Sequence, residues 1–130
     1  MNKKRIIDVL VPHGYKPPKK DIDAAWVLAR YYKTVVNILR PVNKYKVKTP
    51  DFHFNDQDYE LKVITSTQVR QLLHLLEIAK NQSRNIVIDI RKTKISEKRA
   101  TEICQKFVEN HKKYKISLII SAKKVLDIKI

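Results

Sequence analysis

The chain has 130 residues, the size of a single domain, and 43% of them are apolar, which is enough to form one core. Its 28 lysines and arginines outnumber its 13 acidic residues, and the net charge of +15 favours a polyanionic partner and salt-dependent binding. The single glycine excludes Gly-rich phosphate loops, and the single cysteine, Cys104, excludes an internal disulfide. No apolar run approaches membrane-spanning length, so we predict no membrane partner.

Residues 1–20 are predicted to form a basic N-terminal arm, followed by a domain over residues 21–130. Three prolines and Gly14 leave room in the arm for only a short strand or helical turn. Its lysines and arginines either contact phosphates or are simply solvated. The segment is a poor signal peptide because Asp8 follows the basic start so closely, and we therefore predict a cytoplasmic site of action.

An amphipathic helix is predicted over residues 22–38, because apolar residues recur there mostly at spacings of three and four. Asp21 is predicted as its N-cap, and Trp26 as a core residue rather than a base-stacking platform. A ragged strand is predicted around Val42, Tyr45 and Val47. The lysines of that stretch, including Lys46 and Lys48, form either a phosphate track toward Asp51 or a charged edge that prevents strand pairing.

The next stretch predicts a β-hairpin. Phe52 and Phe54 alternate with polar residues, as do Tyr59, Leu61 and Val63, and Asn55-Asp56 between the two strands tolerates the positive φ of a tight turn. A two-residue turn pairs Phe52 with Tyr59 and places Asp51 opposite Glu60.

The hairpin register brings Asp51, Glu60 and Lys62 to one face. Opposed carboxylates repel each other unless a cation lies between them, and Mg²⁺ commonly uses one or two carboxylates. Asp51 and Glu60 are therefore candidate magnesium ligands, with Lys62 placed to stabilise a hydroxide or phosphoryl charge. The alternative is a solvated face on which Lys62 neutralises its neighbours.

The remaining elements alternate between helix and strand. A helix capped by Thr65 or Ser66 runs to about residue 80, and an apolar strand covers 85–91. Its one acid, Asp89, either faces the cleft or, as we favour, pairs with Arg91 or Lys92. Ser96 caps a helix to about residue 111, and two strands follow over 114–121 and 125–130. The order predicts an α/β fold, a three-layer α/β/α sandwich with a mixed central sheet.

Three stretches carry a resemblance to a known family. Pro50-Asp51, followed after a short hairpin by Glu60-Leu61-Lys62, resembles the PD-(D/E)xK nuclease motif. Around it lie an acid-started helix with Leu28-Ala29 and a run over 79–91 with a glutamine-serine pair, an asparagine and an apolar strand. Together they resemble one branch of that superfamily, the C-terminal tRNA nuclease domain of CdiA-type contact-dependent growth inhibition toxins. The resemblance covers about residues 20–130.

The resemblance implies a restriction-endonuclease-like fold and a metal-dependent endoribonuclease that cleaves tRNA with Mg²⁺ or Mn²⁺. It implies a metal site of Asp51, Glu60, the Leu61 carbonyl and Asp21, which matches the family's helix acid. Lys62 would activate water or stabilise the transition state. It also implies an acidic immunity protein as a partner, and secretion if the chain is part of a delivered toxin. Candidate substrate-binding residues are Gln82, Gln71, His74, Lys48 and Lys46.

The sequence leaves two principal alternatives and one weaker one. One is a DNA endonuclease of the same superfamily, because nothing in the sequence reads a 2′-hydroxyl. The other is a non-catalytic basic nucleic-acid-binding module on a degenerate nuclease fold. A small structural protein whose charge serves assembly is a third and weaker alternative.

Overall fold

The computed structural model describes residues 6–42 and 49–130. Helices and strands alternate through most of these residues. In chain order the elements are β1 (Asp8–Leu10), α1 (Lys19–Tyr32), β2 (Val35–Ile38), β3 (Phe52–Phe54), β4 (Gln57–Val63), α2 (Val69–Lys80), β5 (Asn85–Asp89), α3 (Glu97–Asn110), β6 (Lys115–Ser121) and β7 (Lys124–Ile128).

The described strands form one mixed sheet whose spatial order follows the chain from β1 to β7. β1 pairs with β2 in parallel, and β2, β3 and β4 are joined antiparallel. The pairs β4–β5 and β5–β6 are parallel, with α2 and α3 as their crossovers, and β7 returns antiparallel to β6. The crossover unit predicted from the helix before strand 85–91 is confirmed.

Two hydrophobic clusters lie on opposite faces of this sheet. In β5, Ile86 and Ile88 belong to the cluster that holds the apolar residues of α2 and α3, whereas Val87 belongs to the cluster that holds those of α1. The sheet curls around α1, so that the Tyr32 hydroxyl lies 2.7 Å from Ser117 Oγ of β6. The prediction of an α/β chain with a mixed sheet is confirmed, and the finer restriction-endonuclease-like sandwich stays a prediction.

The helix predicted over 22–38 is wrong at both ends. α1 begins at Lys19 with Pro18 at the N-cap, so Asp21 lies in the first turn instead of capping the helix. It ends at Tyr32 because Lys33 adopts a left-handed conformation (φ 53°), and its N–H then closes on the Ala29 carbonyl. The β-branched residues that follow form β2, which occupies the place beside β3.

The other predicted elements fall close to their expected positions. β1, from the predicted arm, pairs with β2, while the proposed domain boundary at residue 20 stays a prediction. α2 begins at Val69 with Gln68 at the N-cap, so the predicted cap at Thr65 or Ser66 is wrong. Ser66 Oγ instead accepts a hydrogen bond from the Gln68 N–H in the turn before the helix. Ser96 caps α3 as predicted, with its Oγ accepting from the Arg99 N–H.

Two further predictions concern the core and the ragged strand. Cys104 is buried in α3, and burial raises the pKa of its thiol to about 12, which fits its predicted core role. The ragged strand falls largely on residues 43–48, which lie outside the described residues, and Val42 before them is exposed.

Candidate active site

The β3–β4 hairpin has the predicted turn and register. Asn55 and Asp56 have φ of 49° and 60°, the conformation of a two-residue turn whose twist matches the flanking strands. The predicted pair of Phe52 with Tyr59 is present, and β3 and β4 are antiparallel. The turn therefore fixes which side chains of the two strands share a face.

Asp51 lies immediately before β3 and is held against β4 by two hydrogen bonds. Its N–H donates to the Tyr59 carbonyl at 2.9 Å, and its Oδ2 accepts from the Leu61 N–H at 2.8 Å. These bonds place the carboxylate beside Glu60 as the sequence predicts. The Leu61 side chain points to the other face and is buried in the α1 cluster.

Glu60 is a buried acid, with only 6% of its surface exposed. Lys62 Nζ lies 3.3 Å from Glu60 Oε2 and is the partner of this charge. Burial, and then the nearby charge of Asp51, raise the pKa of Glu60 to about 7, although Lys62 opposes the shift. The two acids therefore repel each other, and Lys62 compensates the charge of Glu60 only in part.

Asp21, the acid of α1, is also buried and faces this region. Burial and the charge of Asp51 raise its pKa, while Lys20, whose Nζ lies 3.8 Å from Asp21 Oδ1, lowers it. Over residues 6–42 and 49–130, no three His, Cys, Asp or Glu side chains are grouped closely enough to hold a metal ion. The metal roles of Asp21 and of the Leu61 carbonyl stay predictions.

The acids open into a cleft of about 420 Å³, here called the acid cleft. Helix α1, strand β4, helix α2 and the loop after β5 contribute its lining. It is lined by Lys20, Asp51, Glu60, Leu61, Lys62, Val63, Thr65, Leu75 and Lys92. The cleft thus joins two acids to three lysines, an arrangement suited to a metal-assisted reaction on a phosphate.

Lys20 and Lys92 were not among the residues predicted for the site, although both line it. The sequence assigns Lys20 to a basic arm and offers Lys92 as a partner for Asp89. The topology would have predicted Lys92, because β4 and β5 are parallel and their carboxyl ends meet at one edge of the sheet. That prediction requires knowing that β4 and β5 are neighbours.

The predicted substrate-binding residues of α2 do not line the acid cleft. Gln71 Oε1 accepts hydrogen bonds from the Thr65 and Ser66 N–H groups, at 3.0 and 2.8 Å, and so holds the loop beside the cleft. His74 is exposed on α2. Gln82 follows the helix, and its buried Oε1 has no hydrogen-bond partner among the described residues. Lys46 and Lys48 lie outside the described residues.

Asp89, at the end of β5, makes the predicted ion pair. Only 2% of its surface is exposed, and it accepts from Arg91 Nε at 3.0 Å and from Arg91 Nη2 at 2.7 Å. This two-point pair satisfies the buried carboxylate and fixes the guanidinium. Arg91 is thereby held at the edge of the sheet near the acid cleft.

Trp26 departs from its predicted core position. It is only partly buried and belongs to neither hydrophobic cluster. Arg30 lies over its ring, with Cζ 5.8 Å from the ring centroid. The helical period identified the apolar stripe of α1, but it did not show that this residue lies at the rim of the stripe.

A larger groove of about 470 Å³ between α2 and α3 is not a comparable site. Its two acids, Glu77 and Glu102, are each exposed and paired with a basic side chain of the same helix. No helix within the described ranges has the length and apolar character needed to cross a membrane.

The sequence around the acid cleft matches a known protein family. Residues 48–125 match the model of the contact-dependent growth inhibition CdiA C-terminal domain. The chain belongs to this family. The matched residues include Asp51, Glu60 and Lys62, whereas α1 lies before them. The resemblance to a CdiA C-terminal toxin domain is thus confirmed.

A solved structure supports the fold of this CdiA C-terminal domain. It is described as the CdiA-CT/CdiI toxin and immunity complex from Burkholderia pseudomallei, and the chain superposes on it with a TM-score of 0.67. The match covers 95% of this chain and 99% of that one at 16% sequence identity. At this identity the likeness establishes a shared fold alone. No curated protein sequence matches the chain.

Proposed function

We propose that this CdiA C-terminal domain is a toxin nuclease, a metal-dependent endoribonuclease of the PD-(D/E)xK class that cleaves tRNA. One observation carries the proposal: the buried Glu60 shares the acid cleft with Asp51 and has Lys62 Nζ 3.3 Å away. Two carboxylates can hold a catalytic metal ion, and a neighbouring lysine can stabilise the charge that develops on a phosphate during hydrolysis.

The chemistry of the acid pair suits a divalent cation. A hard cation that binds between two carboxylates removes the electrostatic repulsion between them, and such ions prefer oxygen ligands. Asp51 and Glu60 would hold Mg²⁺ or Mn²⁺, with the Leu61 carbonyl and Asp21 as further candidates. When bound there, the ion supplies Lewis-acid polarisation of the phosphate.

Lys62 has two candidate roles in this reaction. Its ammonium is placed either to stabilise the charge that develops on the phosphoryl oxygens or to orient the attacking water. Lys20 and Lys92 on the walls of the acid cleft would position the substrate backbone through phosphate contacts. The net charge of +15 supports a polyanionic substrate. The choice of tRNA rests on the family resemblance.

An acidic immunity protein is the partner that we propose for this domain. The solved structure that shares its fold is described as a toxin and immunity complex. A protein that covered the acid cleft would meet exposed lysines, and acidic side chains on its surface would complement them.

The test is incubation of the purified chain with total tRNA and Mg²⁺, beside Glu60→Gln and the matched surface variant Glu77→Gln. We expect discrete fragments from the wild type and from Glu77→Gln, no fragments from Glu60→Gln, and loss of cleavage with EDTA.

Three other results would change the assignment. Cleavage of DNA but not RNA would make the chain a DNA endonuclease. Salt-sensitive binding of tRNA without cleavage of any nucleic acid would leave a binding module. Cleavage that persists in EDTA would overturn metal dependence.

A further inference from the structure

The acid cleft continues into a second hollow toward the carboxyl end of β5. The two share Lys20, Val63 and Lys92, and the second hollow adds Asp23 and the Asp89–Arg91 pair. The groove therefore runs from the acid pair past a row of basic side chains.

The groove ends at a third hollow on α1. Asp23 and Arg91 line both the second hollow and this third one, which is completed by Trp26 and Arg30. We call this end of the groove the Trp26 hollow. It is open and shallow, and it holds an aromatic ring flanked by two guanidinium groups.

The charges of the Trp26 hollow are organised before any ligand binds. Arg91 is fixed by its two hydrogen bonds to the buried Asp89. The one acid of the hollow, Asp23, has Lys19 Nζ 3.7 Å from its Oδ2, so it is partly neutralised within α1. Arginines beside a partly exposed aromatic ring are elements that bind single-stranded nucleic acid, because bases stack on the ring and the cations contact the phosphates.

We propose that the Trp26 hollow is a nucleotide subsite. An unpaired base of the substrate takes the place over the Trp26 ring that Arg30 occupies here, and Arg30 and Arg91 contact the adjoining phosphates. The subsite extends the proposed nuclease function, on which it rests. It selects a substrate that is unpaired at the nucleotide bound in the Trp26 hollow, since a base must leave its own stack to reach the ring. It also makes α1 a substrate-contacting element, although α1 lies outside the matched residues 48–125.

Trp26 provides its own probe because it is the only tryptophan in the sequence. Titrating Glu60→Gln with a single-stranded oligoribonucleotide, read by tryptophan fluorescence, should give saturable quenching that weakens as salt rises. The oligodeoxyribonucleotide of the same sequence, titrated in parallel, shows whether binding at Trp26 discriminates between ribose and deoxyribose. Quenching by either oligonucleotide supports the subsite, and binding detected by gel shift without any change in fluorescence overturns it.

Variants separate stacking from general binding. In the Glu60→Gln background, Trp26→Ala should weaken the oligonucleotide affinity measured by gel shift about 5- to 160-fold, and Trp26→Phe should retain most of it, because each stacked base contributes on the order of 1–3 kcal/mol. Tyr31→Ala removes an exposed aromatic side chain of α1 outside the groove, and its affinity should not change. Equal affinity of Trp26→Ala and Tyr31→Ala contradicts the subsite.

A charge variant covers the case in which Trp26→Ala fails to fold. Arg30→Gln should reduce the slope of log affinity against log salt concentration by about one. Arg99→Gln on α3, where the native arginine pairs with Glu102, should leave the slope unchanged. Equal salt slopes for the two variants count against the subsite.

The subsite and the proposed function can fail separately. Saturable quenching, together with weaker gel-shift affinity in Trp26→Ala than in Tyr31→Ala, in a wild type that cleaves nothing, leaves the subsite and removes the nuclease. Cleavage by a wild type whose fluorescence never responds removes the subsite and leaves the nuclease.

Discussion

Glu60 and Lys62 extend from the same face of β4, with Nζ and Oε2 3.3 Å apart and 16% of the lysine side chain exposed. The lysine does not remove the cost of burying the acid, because the pKa of Glu60 is still raised to about 7 by burial and by Asp51. A buried acid whose charge costs stability is expected where that charge serves binding or catalysis, since a neutral side chain at position 60 would give a more stable fold.

The first prediction concerns the pH dependence of stability. The pKa of Glu60 is about 7 in the folded chain against an ordinary value of 4.5, so the folded state binds the proton more tightly. The stabilisation that the protonated Glu60 gives the folded chain is therefore complete below pH 4.5 and is lost as pH rises through 7. Glu60→Gln resembles the neutral acid, so at pH 8 it should be more stable than wild type by up to about 3 kcal/mol, but not at pH 4.5.

Urea unfolding of both chains across this pH range measures the difference. Glu77→Gln is the control: Glu77 is exposed and Lys80 lowers its pKa, so its variant should show no gain at pH 8. A difference between wild type and Glu60→Gln that does not change with pH contradicts the raised pKa.

The second prediction concerns a divalent cation. Mg²⁺ or Mn²⁺ should raise the melting temperature of the wild type at pH 8, and a tenfold excess over Kd corresponds to about 1.4 kcal/mol. The shift should shrink at pH 5, where Glu60 is protonated, and should be absent in Glu60→Gln. Thermal melts with the metal and with EDTA provide the measurement. An equal shift in Glu60→Gln would assign the effect to ions bound elsewhere.

The third prediction concerns Lys62. Lys62→Met should lower kcat by about 10²–10³-fold if its ammonium stabilises charge in the transition state. It should also raise the pKa of Glu60 further, because Lys62 is the group that lowers it. Its loss of stability relative to wild type should therefore grow between pH 5 and 8. Lys124→Met removes an exposed lysine paired with Glu97 and serves as the control. Unchanged kcat in Lys62→Met would remove the lysine from the reaction.

The hairpin was predictable from sequence because each of its determinants is local. Asn55 and Asp56 specify the turn, and the alternation of Tyr59 and Leu61 with Glu60 specifies the faces, so register follows without knowledge of the rest of the sheet. The pairing of Asp89 with Arg91 was predictable for the same reason, since the two residues lie two positions apart.

The errors concern features that depend on distant partners. Val36 continues the apolar spacing of α1, and only the pairing of β2 with β1 and β3 makes it a strand residue. Lys92 reaches the acid cleft because β5 lies beside β4, which spacing along the chain does not reveal. Trp26 follows the apolar spacing of α1 but is only partly buried and joins neither hydrophobic cluster, because burial depends on which elements pack against the helix.

The fourth prediction concerns the Asp89–Arg91 pair, which holds the edge of the sheet beside the groove. Asp89 is almost fully buried, so removing its partner leaves a buried charge without compensation. Arg91→Met should lower the free energy of unfolding by about 2–4 kcal/mol, less than the full cost of a buried pair because a quarter of the arginine side chain is exposed. Arg99→Met breaks an exposed pair with Glu102 and should cost at most about 0.5 kcal/mol. The double variant Asp89→Asn with Arg91→Met should lose less than the sum of the single variants, because it removes the stranded charge. Urea unfolding of wild type, Asp89→Asn, Arg91→Met and the double variant tests this coupling, with Arg99→Met as the control. Strictly additive losses would show that the arginine stabilises the edge by packing rather than by neutralising Asp89.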